Sequence, residues 1–450
     1  MQRQIRLGVG AGFAADRIAP AVDMAKHPEV DYLIFECLAE RTIALAQLDR
    51  LESPDKGYNP WLEERMERTL PHCAENDISV ITNMGAVNPH AAAEKTQTIL
   101  DDLGLELTIA VVSGSDVLDQ LDEIHPTTFD NEQIDPYLDD VVSANAYLGI
   151  EGIVEALSRD ADIVITDRVS DVSLFLAPLV YEFDWNPDPN ANPVRIGQGI
   201  VTAHLLECSA QVSGGFFADP GIKDVPNLEH LGFPYAVVDA DGNVEITKLP
   251  DTGGIVSPAT CKEQLLYEIQ DPTSYVTPDG IADFTGVHFE QLEPNRVSVS
   301  GARARSKPET LKVSIGYHES FIGEGEMSYA GPNAVARGRL ARSVIEARLQ
   351  NGEIAIDELH TDLIGIDSLH GALGERRSQH EPYEVRLRVA AKCPTRRDAT
   401  NVTREVRAMT LNGPAGGGGG RRTVKRNIGV VSSLIDRDQV RPTVAIPAVI

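Results

Sequence analysis

Over its first 170 residues the chain alternates short, continuously apolar runs with helix-like stretches, and this alternation narrows the fold further than any other feature. The runs are IRLGVGA (5–11), DYLIFEC (31–37), ISVITNMG (78–85), LTIAVVSG (107–114) and ADIVITDR (161–168). They are β-branched and apolar at successive positions, as strands covered on both faces must be. Between them lie segments of helical periodicity, including NPWLEERMERTLPHCAEN and NPHAAAEKTQTILDDLG. In the second, Asn88 can cap, Pro89 suits the first helical position and Gly104 can end the helix. The pattern specifies an α/β fold, with an N-terminal, mostly parallel, doubly wound sheet joined by right-handed crossovers.

Further along, GQGIVTAHLLECSAQVSGG (197–215) reads as a helix bounded by glycines. YAVVDADGNVEITK (235–248) reads as a hairpin turning at Asp241–Gly242. KEQLLYEIQDP is a helix closing near Pro272. From about residue 286 long alternating strands take over, in GVHFEQLEPNRVSVSGAR, LKVSIGYHES and YEVRLRVAA, with two helices among them. The expected organisation is an α/β domain over 1–285 carrying the active site and a C-terminal α+β domain over 286–450. The second contains a Gly-rich loop, 413–420, which serves either as a mobile flap near a ligand or as a connection. A chain of 450 residues is long enough for two cores.

The 68 acidic residues outnumber the 40 basic ones, for a net charge of −28. That balance repels nucleic acid and anionic membranes, so neither is expected as a partner. No apolar run approaches the ~18 residues of a membrane span. The start, MQRQIRLGVG, lacks a signal-peptide core, so a cytoplasmic location is expected. Only ten of the basic residues are lysine, which suits a surface adapted to high salt, or a genome that favours arginine codons. Five scattered cysteines without a CxxC pair argue for reduced thiols, and Cys37 and Cys208 read as small core residues.

Ligands of open parallel sheets bind beyond the carboxyl ends of the strands, and each strand here delivers small or polar residues to that edge. The first gives Gly10, Gly12, Asp16 and Arg17; the second, Glu36, Glu40 and Arg41; the third, Asn83, Gly85 and Asn88; the fourth, Asp116; the fifth, Arg168 and Asp171. Turns collect Gly, Asn and Asp for backbone reasons alone, whereas Glu36, Glu40 and Arg168 are not turn residues and point to function. Gly8, Gly10 and Gly12 miss the G-x-G-x-x-G spacing, with Phe13 at the place of the third glycine, which argues against a dinucleotide. The acid–base candidates are Glu36 or Asp171 as base and Glu40 or Asp116 as acid. Arg168 and the helix start at Asn88 would hold an anion. His204, Glu207 and Cys208 in HLLEC read as helix packing rather than a metal set, and the carboxylates leave Mg²⁺ or no cofactor as the alternatives.

The strings GAGFAADRIAPA, ECLAERTIA, ITNMGAVNP, ANAYLGIEGIVEAL, ADIVITDRVSDVSLFLAPLVYEF and HLLECSAQVSGGFFADPG occur in this order. With GEGEMSYAGPNAVARGRLA and GPAGGGGGRR in the second half, they resemble the acyclic terpene utilisation (AtuA-like) family along nearly the whole chain. The resemblance implies catabolism of acyclic terpenoid acids handled as CoA thioesters. It carries motif membership to Asp16–Arg17, Glu36–Arg41, Asn83–Asn88 and Arg168–Asp171, without roles. Ser115 stands where the family usually has an acidic residue, and Asp167 where it has glycine. The expected activity is hydration, dehydration or isomerisation of a small carboxylic acid or its acyl-CoA, without a redox cofactor, in a homo-oligomer or with a small partner subunit. A binding or scaffold subunit of an acyl-CoA complex is the alternative, and a nucleotide-dependent oxidoreductase the third.

Overall fold

The computed structural model describes residues 3–125, 127–129, 133–377 and 381–447. They form two compact units, 1–316 with 430–450, and 317–429. The first is a mixed α/β unit built on a ten-stranded sheet. Its centre consists of β1 (Gln4–Ala11), β2 (Tyr32–Phe35), β3 (Ser79–Thr82), β4 (Ile109–Ser113) and β5 (Ile163–Thr166). These are the five apolar runs of the sequence, and they pair in parallel in the spatial order β1-β2-β3-β5-β4. Every residue of β2 and β5 is buried, which is why those runs are apolar without alternation.

The sheet as a whole is mixed rather than mostly parallel. The hairpin Pro234–Asp239/Val244–Lys248 forms as expected and adds antiparallel to β1. The strands His288–Glu293 and Arg296–Ser300 extend the same sheet through Val244–Lys248. The segment just beyond residue 286 therefore belongs to the first unit, and the division falls at Gly316/Tyr317 instead of near 285. An alternating pattern marks a strand with one covered face, and it does not reveal which sheet the strand joins. The opposite edge is completed by Thr443–Ala445, antiparallel to β4.

Local signals account for the helix ends. Helix α1 (Pro89–Leu103) starts with Asn88 Oδ1 accepting from the Ala91 N–H and ends at Gly104 with φ +68°. Asn88 Nδ2 also donates to Pro54 O and Lys56 O at 2.9 and 2.7 Å, so this asparagine fixes a loop as well as a cap. Asn88→Ala should cost about 1 kcal/mol of unfolding free energy, read by urea titration; an unchanged midpoint would contradict the capping role. The helix expected to close near Pro272 spans Pro258–Leu266. Tyr267 leaves helical geometry and Glu268 takes a left-handed backbone, φ +60°, ending the helix early.

The second unit carries antiparallel ladders. Glu384–Cys393 pairs with Glu358–Ile364 on one side and with residues 321–330 on the other. Helices Ala334–Leu349 and Arg396–Asn412 pack a separate core on this sheet, through Ile345, Val402, Val406 and Met409. Of the Gly-rich loop, residues 418–420 open the strand Gly418–Asp436. The preceding turn is held by Arg337, whose guanidinium donates to Ala415 O at 2.8 Å, Ala330 O at 2.6 Å and Pro332 O at 3.0 Å. An anchored connection describes it better than a mobile flap.

Candidate active site

A cleft of about 570 Å³ opens in the first unit beyond the carboxyl ends of β1 and β2. Gly12 and Asp16 come from the turn after β1, Glu36 and Glu40 from the segment after β2, and Asp171 from the segment after β5. Glu207, Cys208 and Ser209 at the end of α3 (Pro193–Glu207), together with Tyr267 and Glu268, close the far wall. Here α2 denotes Asp171–Glu182.

The glycine turn has a packing explanation. A Cβ at Gly10 would stand 2.6 Å from the Phe35 ring, and one at Gly12 would stand 2.6 Å from Cys208 C and Ser209 N. Gly12 thus lets the turn after β1 lie directly against the end of α3, and that contact forms one corner of the cleft. Asp16 closes the turn, its carboxylate accepting from Gly12 N at 3.0 Å and from Arg17 N at 2.8 Å. Arg65, buried at 0 % exposure, braces the outside of the turn by donating to Asp16 O at 3.2 Å.

Glu36 is held by its neighbours. Its Oε1 accepts from Leu38 N at 2.8 Å and from Asn83 Nδ2 at 3.0 Å, while Asn83 Oδ1 accepts from Cys37 N at 2.7 Å. Burial, and then the charge of Asp171, push the Glu36 carboxyl well above the usual carboxylate range, against the pull of the Leu38 N–H, Asn83 and Arg168. Glu40 behaves in the opposite way. Burial disfavours its charge, yet the Lys312 ammonium at 2.7 Å and the Tyr147 hydroxyl at 2.7 Å bring it down to about 2. Asp171 is raised by burial, against the attraction of Arg168, whose Nη1 donates to it at 2.9 Å.

Arg168 lies behind the cleft and not in it. It is 1 % exposed, donates through Nη1 to Leu38 O as well as Asp171, and stacks 3.8 Å above the Tyr147 ring centroid. An anion in the cleft meets the carboxylates before it meets this guanidinium. Asn83 is buried and serves Glu36. A Cβ at Gly85 would stand 2.5 Å from Thr166 O, which makes that glycine a close-packing position. Asn88 is a helix cap, and Arg41 and Asp116 are exposed away from the cleft, Asp116 accepting from Leu118 N at 3.1 Å. Arg17 lines a separate cavity of about 210 Å³ with Asp23, His230 and Asp251.

The structure adds residues that the sequence reading passed over. Tyr147 and Lys312 set the state of Glu40, and Lys312 comes from the strand Thr310–Ala330, far outside the motifs. Cys208 is half-buried and lines the cleft, so it is not a core residue, and burial pushes its thiol up. The i, i+3 spacing of His204 and Glu207 on one helix was the available signal for a pair that does form. Among the described residues no group of three or more His, Cys, Asp or Glu is arranged to hold a metal ion, and no helix is long and apolar enough to cross a membrane.

The model of the acyclic terpene utilisation family protein AtuA matches residues 5–446. The chain belongs to that family. No curated protein matches it. The AtuA match spans all the elements that build the cleft. Asp167 and Ser115, at the ends of adjoining strands, are in contact. Asp167 Oδ2 accepts from Ser115 N at 2.8 Å, and Ser115 Oγ accepts from Asn145 Nδ2 at 3.2 Å and from Arg168 N at 3.3 Å.

Proposed function

We propose that this member of the family is an acid–base enzyme that hydrates, dehydrates or isomerises a neutral acyl group, carried as a thioester such as an acyl-CoA. One observation carries the reading: Glu36 and Glu40, four residues apart on one wall, are shifted in opposite directions, Glu36 up by burial and the Asp171 charge, Glu40 down by Lys312 and Tyr147. Two carboxyls driven apart by their surroundings suit the separate roles of proton donor and fixed negative charge. The wall is acidic and its arginine is committed, which favours an uncharged thioester over a free carboxylate at the reacting end. Phe13, Leu38, Phe216 and Tyr267 offer apolar surface for the chain of such a group. The parallel strands with their crossover helices, read as the doubly wound part of the sheet, supply the edge on which these groups stand.

In the dehydration direction, Asp171 takes the proton from the carbon next to the thioester carbonyl. The C–O bond to the leaving hydroxyl breaks with its electron pair, and Glu36 donates a proton to release water. Glu36 ends as carboxylate and Asp171 as acid, and a proton passing between them through cleft water restores the start. Hydration is the reverse. Glu40, ionised throughout, keeps Asp171 basic. Asp171 keeps one of the two base assignments expected from the sequence, while Glu36, the other expected base, becomes the acid in place of Glu40 or Asp116.

Glu36→Gln tests the assignment. With a panel of 3-hydroxyacyl-CoA and enoyl-CoA thioesters, the parent should lose turnover as pH rises through the elevated Glu36 pKa. The variant should be about 100-fold slower, with the melting temperature retained. A panel that finds no turnover, or a variant as fast as the parent, rejects the proposal.

A further inference from the structure

The pair formed by His204 and Glu207 is used by nothing in the preceding mechanism. His204 is 1 % exposed on α3, between the Tyr275 and Phe284 rings, with centroids 5.0 and 5.9 Å away. Its Nε2 lies 3.2 Å from Leu265 O, and its Nδ1 lies 2.8 Å from Glu207 Oε1. A carbonyl oxygen only accepts, so Nε2 carries a hydrogen. The short contact at Nδ1 then requires one further proton, on the imidazole or on the carboxyl. The pair therefore holds a single shared proton whichever atom bears it.

The other carboxyl oxygen, Glu207 Oε2, is buried and has no hydrogen-bond partner in the protein, although Glu207 lines the cleft. A buried oxygen of this kind is costly to leave unmet. A histidine serving only to pack would need no carboxylate with a spare oxygen at the wall of a cavity. We propose that His204 and Glu207 form a proton relay, in which Glu207 Oε2 is the terminal atom that exchanges a proton with the group bound in the cleft. The one shared proton leaves the Nδ1–Oε1 contact for the carboxyl, which turns about its Cγ–Cδ bond to carry it on Oε2, and passes from Oε2 to the substrate. The substrate gains one proton, and the pair is left as neutral imidazole and carboxylate with a net charge of −1. Water in the cleft returns the proton after product leaves.

The inference rests on the reading of this cleft as an acid–base site and adds a second proton-handling group opposite Glu36 and Asp171. The titratable groups around the pair are Cys208 next to it on the chain, Tyr275 on its strand, Asp171 at the start of α2, and Glu268 beyond Pro258–Leu266. All four are acids that, when ionised, favour keeping the proton on the pair. Burial opposes the imidazolium, but Glu207 raises His204 above the ordinary histidine value.

Two measurements on the full chain test the relay. In ¹⁵N-histidine-labelled protein, His204 should titrate above the usual histidine range with Nε2 protonated throughout, and Glu207→Gln should lower that midpoint by at least one pH unit. Carbodiimide with glycine ethyl ester attacks protonated carboxyls, so peptide mapping at pH 7 should find Glu207 modified at least tenfold faster than exposed Glu75. An unmoved His204 midpoint in Glu207→Gln overturns the relay. Glu207 unreactive while Glu36 reacts also overturns it, and leaves the proposed acid in place. Glu36 unreactive while Glu207 reacts keeps the relay and removes that acid, and failure of both removes both.

Discussion

Arg168→Ala should lose about 3 kcal/mol of unfolding free energy and melt several degrees below the parent. The guanidinium is 1 % exposed, and its loss removes the donor to Leu38 O, the 2.9 Å ion pair with Asp171 and the 3.8 Å stack on Tyr147 at once. Asp171 then faces Glu36 and Glu40 with only the more distant Lys312 as counter-charge, and its pKa climbs further. Arg168→Lys keeps the charge but neither the planar stack nor the forked geometry, and should recover only part of the loss. The sequence alone suggested the contrary outcome, with activity gone and stability intact, because an arginine at a strand end resembles a ligand clamp. A melting temperature within a degree of the parent, together with lost anion binding, would restore that clamp.

The second large effect concerns Asp167. It is buried, and desolvation raises its carboxyl to about 7, against the N–H of Ser115. A carboxyl with an ordinary value of 3.8 when unfolded and about 7 when folded binds more protons in the folded state between those values. Its contribution to stability is therefore whole below about pH 4 and is lost as the pH rises through 7. Three pH units correspond to roughly 4 kcal/mol. Asp167→Asn cannot titrate, so the stability difference between parent and variant should change by that amount between pH 4 and pH 8 in paired urea titrations, the parent gaining toward acid. A difference independent of pH would place the Asp167 pKa near 4 and give Ser115 N–H the upper hand.

Several parts of the architecture were legible before any coordinates. Continuous apolar runs identified β1 to β5, since strands covered on both faces have no polar side to show. The cap at Asn88, the stop at Gly104 and the hairpin at Asp241–Gly242 followed from local backbone chemistry. The mixed sheet and the membership of 288–300 were not legible, because pairing partners are chosen by tertiary contacts. In the site, the strand-end rule brought forward Gly12, Asp16, Glu36, Glu40 and Asp171, all of which line the cleft. It could not separate them from Arg41, Asn88 and Asp116, which follow strands equally closely but face elsewhere. Nor could it anticipate Lys312, whose pairing with Glu40 spans 272 residues and reverses the role expected of that carboxyl.

The strand Thr443–Ala445 adds a consequence for how the protein is made. It seals β4 through partners 330 positions apart, Ser113 and Thr443, and the whole second unit is encoded between them. At ~5–20 residues per second, a ribosome leaves the IAVVS edge uncovered for roughly 20 to 70 s after synthesising it. During that interval the unit 317–429 can complete its own core while its host still lacks an edge. An open apolar strand is a template for another chain. The nascent protein is therefore open to misassembly at β4 from its synthesis until Thr443–Ala445 is added.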